Sequence, residues 1–401
     1  MSILNLLSKK EVWQEFLEHK RQNEFFPQRE ERELASFIEK EGYLPVCKAI
    51  YEGKPMPPCT IHKINKKNTE KKRTVFVFPH AENYVLKLLA YLLYKYDYLF
   101  ESNLYSFRQK IGVKQGVVSL IRKIGNQKMY SYKADIHDYF NSVDTDKMVE
   151  ILKNAITDDP LLVDFIISII TSPYAKDQGK IVSVKKGIMA GVPISGFLAD
   201  LYLCGLDRWF SSRGILYARY SDDIITFANT REEIEEYEKH IKGYLSEMSL
   251  ELNPKKEIRT ECGEPWEFLG FLVDGKSVDI CQSSLKKMKD KMKRKSRALI
   301  RWRKRNKKEP RFAVRAFIKH FNNKMYETNE VGELNWCKWY FPTINTPTHL
   351  HEIDLYAVEC MRYIYTGRHN KSNYNLRYTE IKELGFRSLV NEFYKFKKSC
   401  P

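Results

Sequence analysis

Two aspartates stand side by side in the run Ile215-Leu216-Tyr217-Ala218-Arg219-Tyr220-Ser221-Asp222-Asp223-Ile224-Ile225-Thr226-Phe227. Two β-rich stretches flank a polar tip, which is the pattern of a hairpin carrying its acids at the turn. Adjacent carboxylates repel one another and weaken a turn unless a cation neutralises them. Alone, the pair reads equally as an exposed Asx-rich turn. A second segment bears on the choice. Lys133-Ala134-Asp135-Ile136-His137-Asp138-Tyr139-Phe140-Asn141-Ser142-Val143 places Asp135 at the end of a strand beginning near Met129. A pair of divalent ions about 3.5–4 Å apart needs bridging carboxylates from at least two chain segments. A strand-end acid together with a hairpin-tip pair supplies them. Mg2+ takes oxygen ligands and keeps waters and substrate phosphates in its shell, so three protein carboxylates suffice. Asp138 and Asp144 follow the strand end and read as capping or solvent-facing groups. The cysteines at 47, 59, 204, 262, 281, 337, 360 and 400 form no C-x-x-C, so neither a zinc site nor a disulfide framework is suggested. His349 and His351, two residues apart, read as structural.

The elements that must hold these acids follow from the flanking pattern. From 129 to 280 short strands alternate with helices, as in an α/β or α+β body. Thr230 and Glu233 form a capping box ahead of Ile234, Tyr237, Ile241, Leu245 and Met248, whose spacing predicts an amphipathic helix. Gly187-Ile188-Met189-Ala190-Gly191-Val192-Pro193-Ile194-Ser195-Gly196 reads as a loop running into an apolar helix, with glycines allowing close approach of the backbone to a flat ligand. Upstream, the first sixty residues look helical, and Tyr84 to Phe100 reads as a buried helix. A basic patch from Lys63 to Arg73 runs into the strand-like Val75-Phe76-Val77-Phe78, ended by Pro79. After Ile280 the composition changes. Lys286 to Arg311 holds fifteen lysines and arginines against Asp290 and Glu309, while Leu285, Met288, Met292, Leu299 and Trp302 keep one helical stripe. A charge run this one-sided suits phosphate tracking better than a solvated face.

Composition sets the outer limits. The 401 residues carry 68 lysines and arginines against 51 acids, a net charge of +17, so an anionic partner is expected, nucleic acid before a membrane. With 43% hydrophobic and 13% aromatic residues the chain is not disordered. Leu161 to Ile170, its longest apolar stretch, is interrupted by Asp164 and falls well short of the roughly 20 residues a span needs. Met1 to Lys10 has no basic region before its apolar residues, so no secretory signal is expected. The reading is a reduced, cytoplasmic protein without membrane attachment.

In order and spacing these segments resemble the palm of reverse transcriptases, specifically the bacterial group II intron and retron branch. Asp135 matches the first catalytic aspartate, and Arg219-Tyr220-Ser221-Asp222-Asp223 matches the Tyr-x-Asp-Asp block. Tyr105-Ser106-Phe107-Arg108 resembles the Gly-Phe-Arg finger segment. Leu250-Glu251-Leu252-Asn253-Pro254-Lys255-Lys256 resembles the block after the acidic helix, and Phe268-Leu269-Gly270-Phe271 the closing palm strand. The resemblance implies an α+β right-hand polymerase. An N-terminal helical extension (1–60) precedes fingers (61–128) and a ferredoxin-like palm (129–280), and a helical basic thumb with a helical C-terminal region (281–401) follows.

It also implies roles. Asp135, Asp222 and Asp223 would be catalytic, binding two Mg2+ (with Mn2+ as a substitute) together with the Ile136 carbonyl. Lys71, Arg73, Phe140 and Gly191 would meet the incoming dNTP, Phe140 as the aromatic gate that crowds the sugar 2′-carbon. Lys255 is a candidate proton donor to pyrophosphate. Arg108, with Lys293, Arg294, Arg297 and Arg301 of the basic helix, would contact nucleic acid.

Departures from the family pattern sharpen the expectation. Met189-Ala190-Gly191 stands where group II enzymes have Pro-Gln-Gly. Ser195-Gly196 replaces Ser-Pro, and Asp200 replaces an asparagine. Tyr365-Thr366-Gly367 is not the retron Val-Thr-Gly, and no maturase or endonuclease extension is visible. Arg362 to His369 and Leu384 to Val390 look like the helical C-termini of the "unknown group" enzymes, many of them defence-associated. The expected function is RNA-directed DNA synthesis that copies a structured companion non-coding RNA into DNA from dNTPs, in antiphage defence. The alternatives are a template-independent DNA polymerase on the same palm, a non-catalytic RNA-binding scaffold, and an RNA-dependent RNA polymerase.

Overall fold

A computed structural model describes residues 2–22, 26–65, 72–109, 111–185, 187–327, 336–368 and 375–399 of the chain. They form two compact units, Met1–Gly263 and Glu264–Pro401.

The first unit opens with helices α1 (Lys10–Gln22), α2 (Gln28–Glu39) and α3 (Leu44–Tyr51), as the sequence predicts. Trp13 anchors them, stacked on Tyr43 at 4.9 Å and donating its indole N–H to the Leu7 carbonyl. The ends of the basic patch lie on strands: β1 (Cys59–Asn65) pairs antiparallel with β2 (Lys72–Val77), so Lys63 and Arg73 project from strands, while 66–71 lie outside the described residues. The buried stretch after Pro79 divides into α4 (His80–Leu92) and a 3-10 turn (Leu93–Leu99) broken at Tyr96. Then come α5 (Val113–Ile124), β3 (Tyr130–Asp135), α6 (Tyr139–Ser142), α7 (Thr145–Ala155) and α8 (Pro160–Thr171). The apolar stretch that is too short for a membrane is α8, a core helix with Asp159 as its cap and Asp164 on its exposed side. Strands β4 (Tyr174–Asp177) and β5 (Lys180–Ser183) extend the first hairpin into a sheet of order β2-β1-β4-β5. Helices α9 (Ser195–Tyr202) and α10 (Cys204–Ser212) lead to β6 (Tyr217–Tyr220), β7 (Asp223–Ala228), α11 (Arg231–Glu247) and β8 (Ile258–Thr260). Every residue of α9 is buried, and α11 begins with the expected capping box, both bonds made.

The sheet that matters is β6-β7-β3-β8, all antiparallel. Counted from β3, its order along the chain is 2-3-1-4, with helices crossing from β3 to β6 and from β7 to β8. This is the ferredoxin-like arrangement. It buries Tyr132, Ala134, Ile224 and Phe227 among its members, and it brings the end of β3 beside the start of β7.

The second unit begins with a three-stranded meander, β9 (Trp266–Phe268), β10 (Phe271–Asp274) and β11 (Ser277–Ile280). Helices α12 (Gln282–Arg305), α13 (Pro310–Tyr326), α14 (Trp336–Tyr340), α15 (Thr348–Thr366), α16 (Tyr378–Glu383) and α17 (Leu389–Ser399) follow. The compositional break at 281 falls at the cap of α12, whereas the compact unit starts before β9. Its strands are tied to its own helical part: Asn345 bonds the Val278 N–H at 2.8 Å and the Lys276 carbonyl at 2.7 Å through its side chain. The predicted stripe of α12 is buried at Leu285, Met288, Met292 and Leu299; Trp302 is 37% exposed instead. Tyr365-Thr366-Gly367 ends α15, with Gly367 as a left-handed cap. Among the described residues no helix is long and apolar enough to cross a membrane.

Candidate active site

Strand register decides which acids meet. Asp135, the last residue of β3, lies opposite Asp223, the first of β7. Tyr220 pairs with Asp223 across the hairpin, leaving Ser221 and Asp222 as its two-residue tip. The amide of Ile136 donates to the Asp222 carbonyl at 3.1 Å, and the Asp135 carbonyl accepts from Asn253 at 2.8 Å. Backbone bonds therefore bring the chain positions of all three acids together at two strand ends.

Two lysines stand against these acids. Lys256 Nζ is 2.5 Å from Asp135 Oδ1, and Lys133 Nζ is 3.7 Å from Asp223 Oδ1. Burial pushes the Asp222 carboxyl up to about 6, with the charges of Asp135 and Asp223 adding to the effect. Burial also raises Asp223, against the pull of Lys133. Among the described residues no three acidic, histidine or cysteine side chains are gathered closely enough to hold an ion as they stand. The donor chemistry nevertheless suits a hard divalent cation: carboxylate oxygens that repel one another, with ammonium groups already drawn to two of the three.

The loop before α9 closes the other side. Gly187 presses on the Phe140 backbone, where a Cβ would lie 2.3 Å from the Phe140 carbonyl oxygen, and Ile188 N–H donates to that oxygen at 2.9 Å. Phe140 is partly buried, edge-on to Tyr139 at 5.8 Å and to Phe107 at 6.3 Å. Gly191 has φ +98 and lies against β2, where a Cβ would be 2.3 Å from Val75 Cγ1. The adjoining Ala190 carbonyl accepts the Phe76 amide at 2.8 Å. The loop is thus bonded to the finger-like sheet and to the Phe140 turn at once.

The reverse transcriptase (RNA-dependent DNA polymerase) family profile matches residues 64–273, a stretch that contains both acid segments, the glycine loop and the hairpin. The chain belongs to the reverse transcriptase family. Among solved structures, this reverse transcriptase is similar to apo telomerase from Candida tropicalis truncated from its C-terminal domain (14% identity, TM-score 0.45, 56% of this chain and 55% of that one). It is similar also to C. tropicalis telomerase in complex with a TWJ fragment of telomeric RNA (13% identity, TM-score 0.47, 85% and 64%). A third is Candida albicans telomerase with the same kind of RNA fragment (12% identity, TM-score 0.42, 93% and 71%). The matched part spans about half the length of the first of these. No curated protein matches the sequence.

Other expected site residues of the reverse transcriptase fall as follows. Arg73 is exposed on β2, and Lys71 lies outside the described residues. Lys293, Arg294, Arg297 and Arg301 are all exposed on α12. Two of the expected residues have surroundings that bear on their roles. Arg108 is no free nucleic-acid contact: its guanidinium holds both Asp97 oxygens at 2.8 Å and the Glu101 carbonyl at 2.7 Å, leaving its side chain 8% exposed. Lys255 is not the lysine drawn to the acids. The Asn253 side chain turns the chain through a short 3-10 segment, and the next residue, Lys256, reaches Asp135. Lys133 and Lys256 were not singled out by sequence. Lys133 carried a signal, because two residues apart on a strand it shares a face with Asp135; Lys256 had only a place in a basic pair.

Proposed function

We propose that this reverse transcriptase copies a structured companion non-coding RNA into DNA, as a bacterial enzyme of the "unknown group" type acting in antiphage defence in the cytoplasm. The observation that carries the catalytic part is the register of Asp135 opposite Asp223, with Asp222 at the tip. Asp135, Asp222, Asp223 and the Ile136 carbonyl would hold two Mg2+, which when bound stabilise the attacking and leaving oxygens of nucleotidyl transfer. Lys256 and Lys133 offset the mutual repulsion of the acids. Phe140, braced by the Gly187 loop, crowds the sugar and favours deoxynucleotides, while Lys71, Arg73 and the Gly191 backbone receive the triphosphate. Lys255 or Lys256 would return a proton to pyrophosphate, and the geometry favours Lys256. Exposed cations of α12 bind the phosphates of the RNA and its DNA copy.

The defence setting is supported by the resemblance of Arg362 to His369 and Leu384 to Val390 to the tails of the "unknown group" enzymes. One observation favours a second reading, synthesis without a template. Ala190 stands where the family has a glutamine, so that side chain cannot help hold the nucleotide. The test is to express the gene with its flanking region, sequence the copurifying nucleic acid, and challenge cells with a phage panel beside the Asp222→Ala, Asp223→Ala double mutant. A cDNA complementary to one flanking RNA, together with protection lost in the mutant, is expected. Protection that persists in the mutant refutes polymerisation as the mechanism, and DNA with no RNA complement favours the untemplated reading.

A further inference from the structure

Buried charge gathers beside the catalytic hairpin, on residues that the polymerase chemistry does not use. Arg219 on β6 and Asp207 on α10 are fully buried and paired: Nε donates to Asp207 Oδ1 at 2.8 Å and Nη2 to Oδ2 at 2.5 Å. The Tyr217 hydroxyl donates to the same carboxylate at 3.0 Å. Asp200 on α9 is fully buried too, its Oδ1 3.7 Å from Arg219 Nη1. Arg219 Nη2 also donates to the Asp200 carbonyl at 3.0 Å. Taking ions out of water costs several kcal/mol each, and a well-packed apolar cluster would stabilise the fold as much or more. A second buried carboxyl group beside the same guanidinium is a still less economical arrangement if stability were its only purpose.

Both outlets of the cluster end on Ser221. The Ser106 hydroxyl donates to Asp200 Oδ1 at 2.6 Å, and Ser106 Oγ in turn accepts the Ser221 amide at 2.8 Å. Arg219 Nη1 donates to the Ser221 carbonyl at 3.3 Å. That amide and that carbonyl belong to the two peptide planes flanking the Ser221 α-carbon, so gripping both fixes its φ and ψ. Ser221 has φ 59, a left-handed conformation that costs an L-residue roughly 1–2 kcal/mol and needs outside support. Asp222 is the next residue. Ser106 is itself held in place: the Arg219 amide donates to the Asn103 carbonyl at 3.0 Å, and the Tyr105 amide to the Arg219 carbonyl at 2.9 Å.

We infer that Ser106, Asp200, Arg219 and Asp207 form a positioning relay, which holds Ser221 left-handed and thereby sets the direction in which the Asp222 carboxylate leaves the hairpin. This rests on Asp222 being an acid of the active site, as proposed above. None of the four touches substrate; they act through the turn. A misplacement of about 1 Å in a reacting group costs on the order of 100-fold in rate.

The experiment compares Ser106→Ala, Asp200→Ala and Asp200→Asn with wild type in the full chain. It reads the single-turnover incorporation rate at saturating dNTP, the dNTP KM, and hydrogen exchange of the amides from 220 to 223. Ser106→Ala removes both bonds and is expected to slow incorporation by about ten- to a hundredfold. It should leave KM within about threefold and lose protection at the Ser221 amide. Asp200→Ala should fall between it and wild type, and Asp200→Asn, which keeps an acceptor for Ser106, should restore most of the rate. A wild-type rate in Ser106→Ala overturns the relay, and so does a slowed rate with undiminished protection at Ser221. If Ser106→Ala does not fold, the Asp200 pair decides: a slow alanine variant rescued by asparagine supports the relay, and equal rates overturn it. Asp222→Ala is measured alongside. Synthesis by that protein overturns the active-site assignment itself, whereas a dead Asp222→Ala with an unimpaired Ser106→Ala overturns only the relay.

Discussion

Gly191→Ala separates two costs that the fold imposes at the loop before α9. The first is conformational: φ is +98, where an L-residue is strained by roughly 1–2 kcal/mol. The second is steric: the new Cβ would sit 2.3 Å from Val75 Cγ1 and 3.1 Å from the Phe76 carbonyl oxygen, so loop and strand must part. Overpacking of this kind costs about 1–3 kcal/mol. Gly179 supplies the control, because it has φ +85 in the β4–β5 turn and nothing within 4 Å of where its Cβ would go. Gly179→Ala should therefore lose about 1–2 kcal/mol and Gly191→Ala about 2–5 kcal/mol, measured by urea unfolding followed by tryptophan fluorescence. Removing the obstacle should recover part of the difference: Gly191→Ala combined with Val75→Ala is expected to show a favourable coupling of at least about 1 kcal/mol in a double-mutant cycle. The same displacement breaks the register of Ala190 with Phe76, so the dNTP KM of Gly191→Ala should rise about tenfold, while Gly179→Ala keeps the wild-type value. Equal stability losses at the two glycines, or a coupling indistinguishable from zero, would refute the claim that the loop is pressed against β2.

Three further outcomes follow from other parts of the structure. Phe140→Ala should raise ribonucleotide use relative to deoxynucleotide use by about 10- to 100-fold in single-turnover incorporation; an unchanged ratio removes Phe140 from the gate and revives RNA synthesis as the reaction. Charge reversal at Lys293, Arg294, Arg297 and Arg301 should weaken RNA binding and flatten its dependence on salt, since fewer counterions are released; an unaltered slope by filter binding excludes α12 as the phosphate-binding element. Burial pushes the Asp200 carboxyl up to about 8, so the folded chain holds a proton there that the unfolded chain releases near the ordinary pKa of about 4. Stability is then lost as pH rises through that window, and Asp200→Asn should flatten the decline between about pH 4 and 8, with denaturation midpoints at several pH values as the check.

The palm was legible because its signals are local. A hairpin with acids at its tip, a strand ending in an acid and a capped amphipathic helix each lie within a dozen or so residues, and β3, β6, β7 and α11 all form where the pattern puts them. Pairing was less legible. Nothing in the run from Lys63 to Arg73 distinguishes a basic loop from the ends of two strands, because exposed lysines suit a strand facing solvent as well as a turn. Arg108 shows the same limit from the other side. A basic residue in a nucleic-acid-binding chain reads as a phosphate contact, and only the fold reveals that Asp97 takes its guanidinium. The Ser106–Asp200–Arg219–Asp207 cluster spans more than a hundred residues of chain, and nothing in the separate segments holding Ser106, Asp200 and Arg219 showed that they meet. Which of the adjacent lysines Lys255 and Lys256 reaches Asp135 was not legible, since that depends on how the Asn253 turn is wound.

Charge is divided within the chain so that chemistry and binding can be perturbed separately. The acids sit at one hairpin tip and one strand end of the first unit, where Lys133 and Lys256 keep their local balance near neutral. The excess cations that make the chain strongly basic are concentrated instead in α12 of the second unit, on a helix whose apolar stripe is already committed to packing. Repulsion among Asp135, Asp222 and Asp223 is offset at short range by Lys133 and Lys256, whose ammonium groups lie 3.7 Å from Asp223 and 2.5 Å from Asp135. Losing the acids should silence synthesis with RNA still bound, and losing the cations of α12 should release RNA from a site whose acids remain intact.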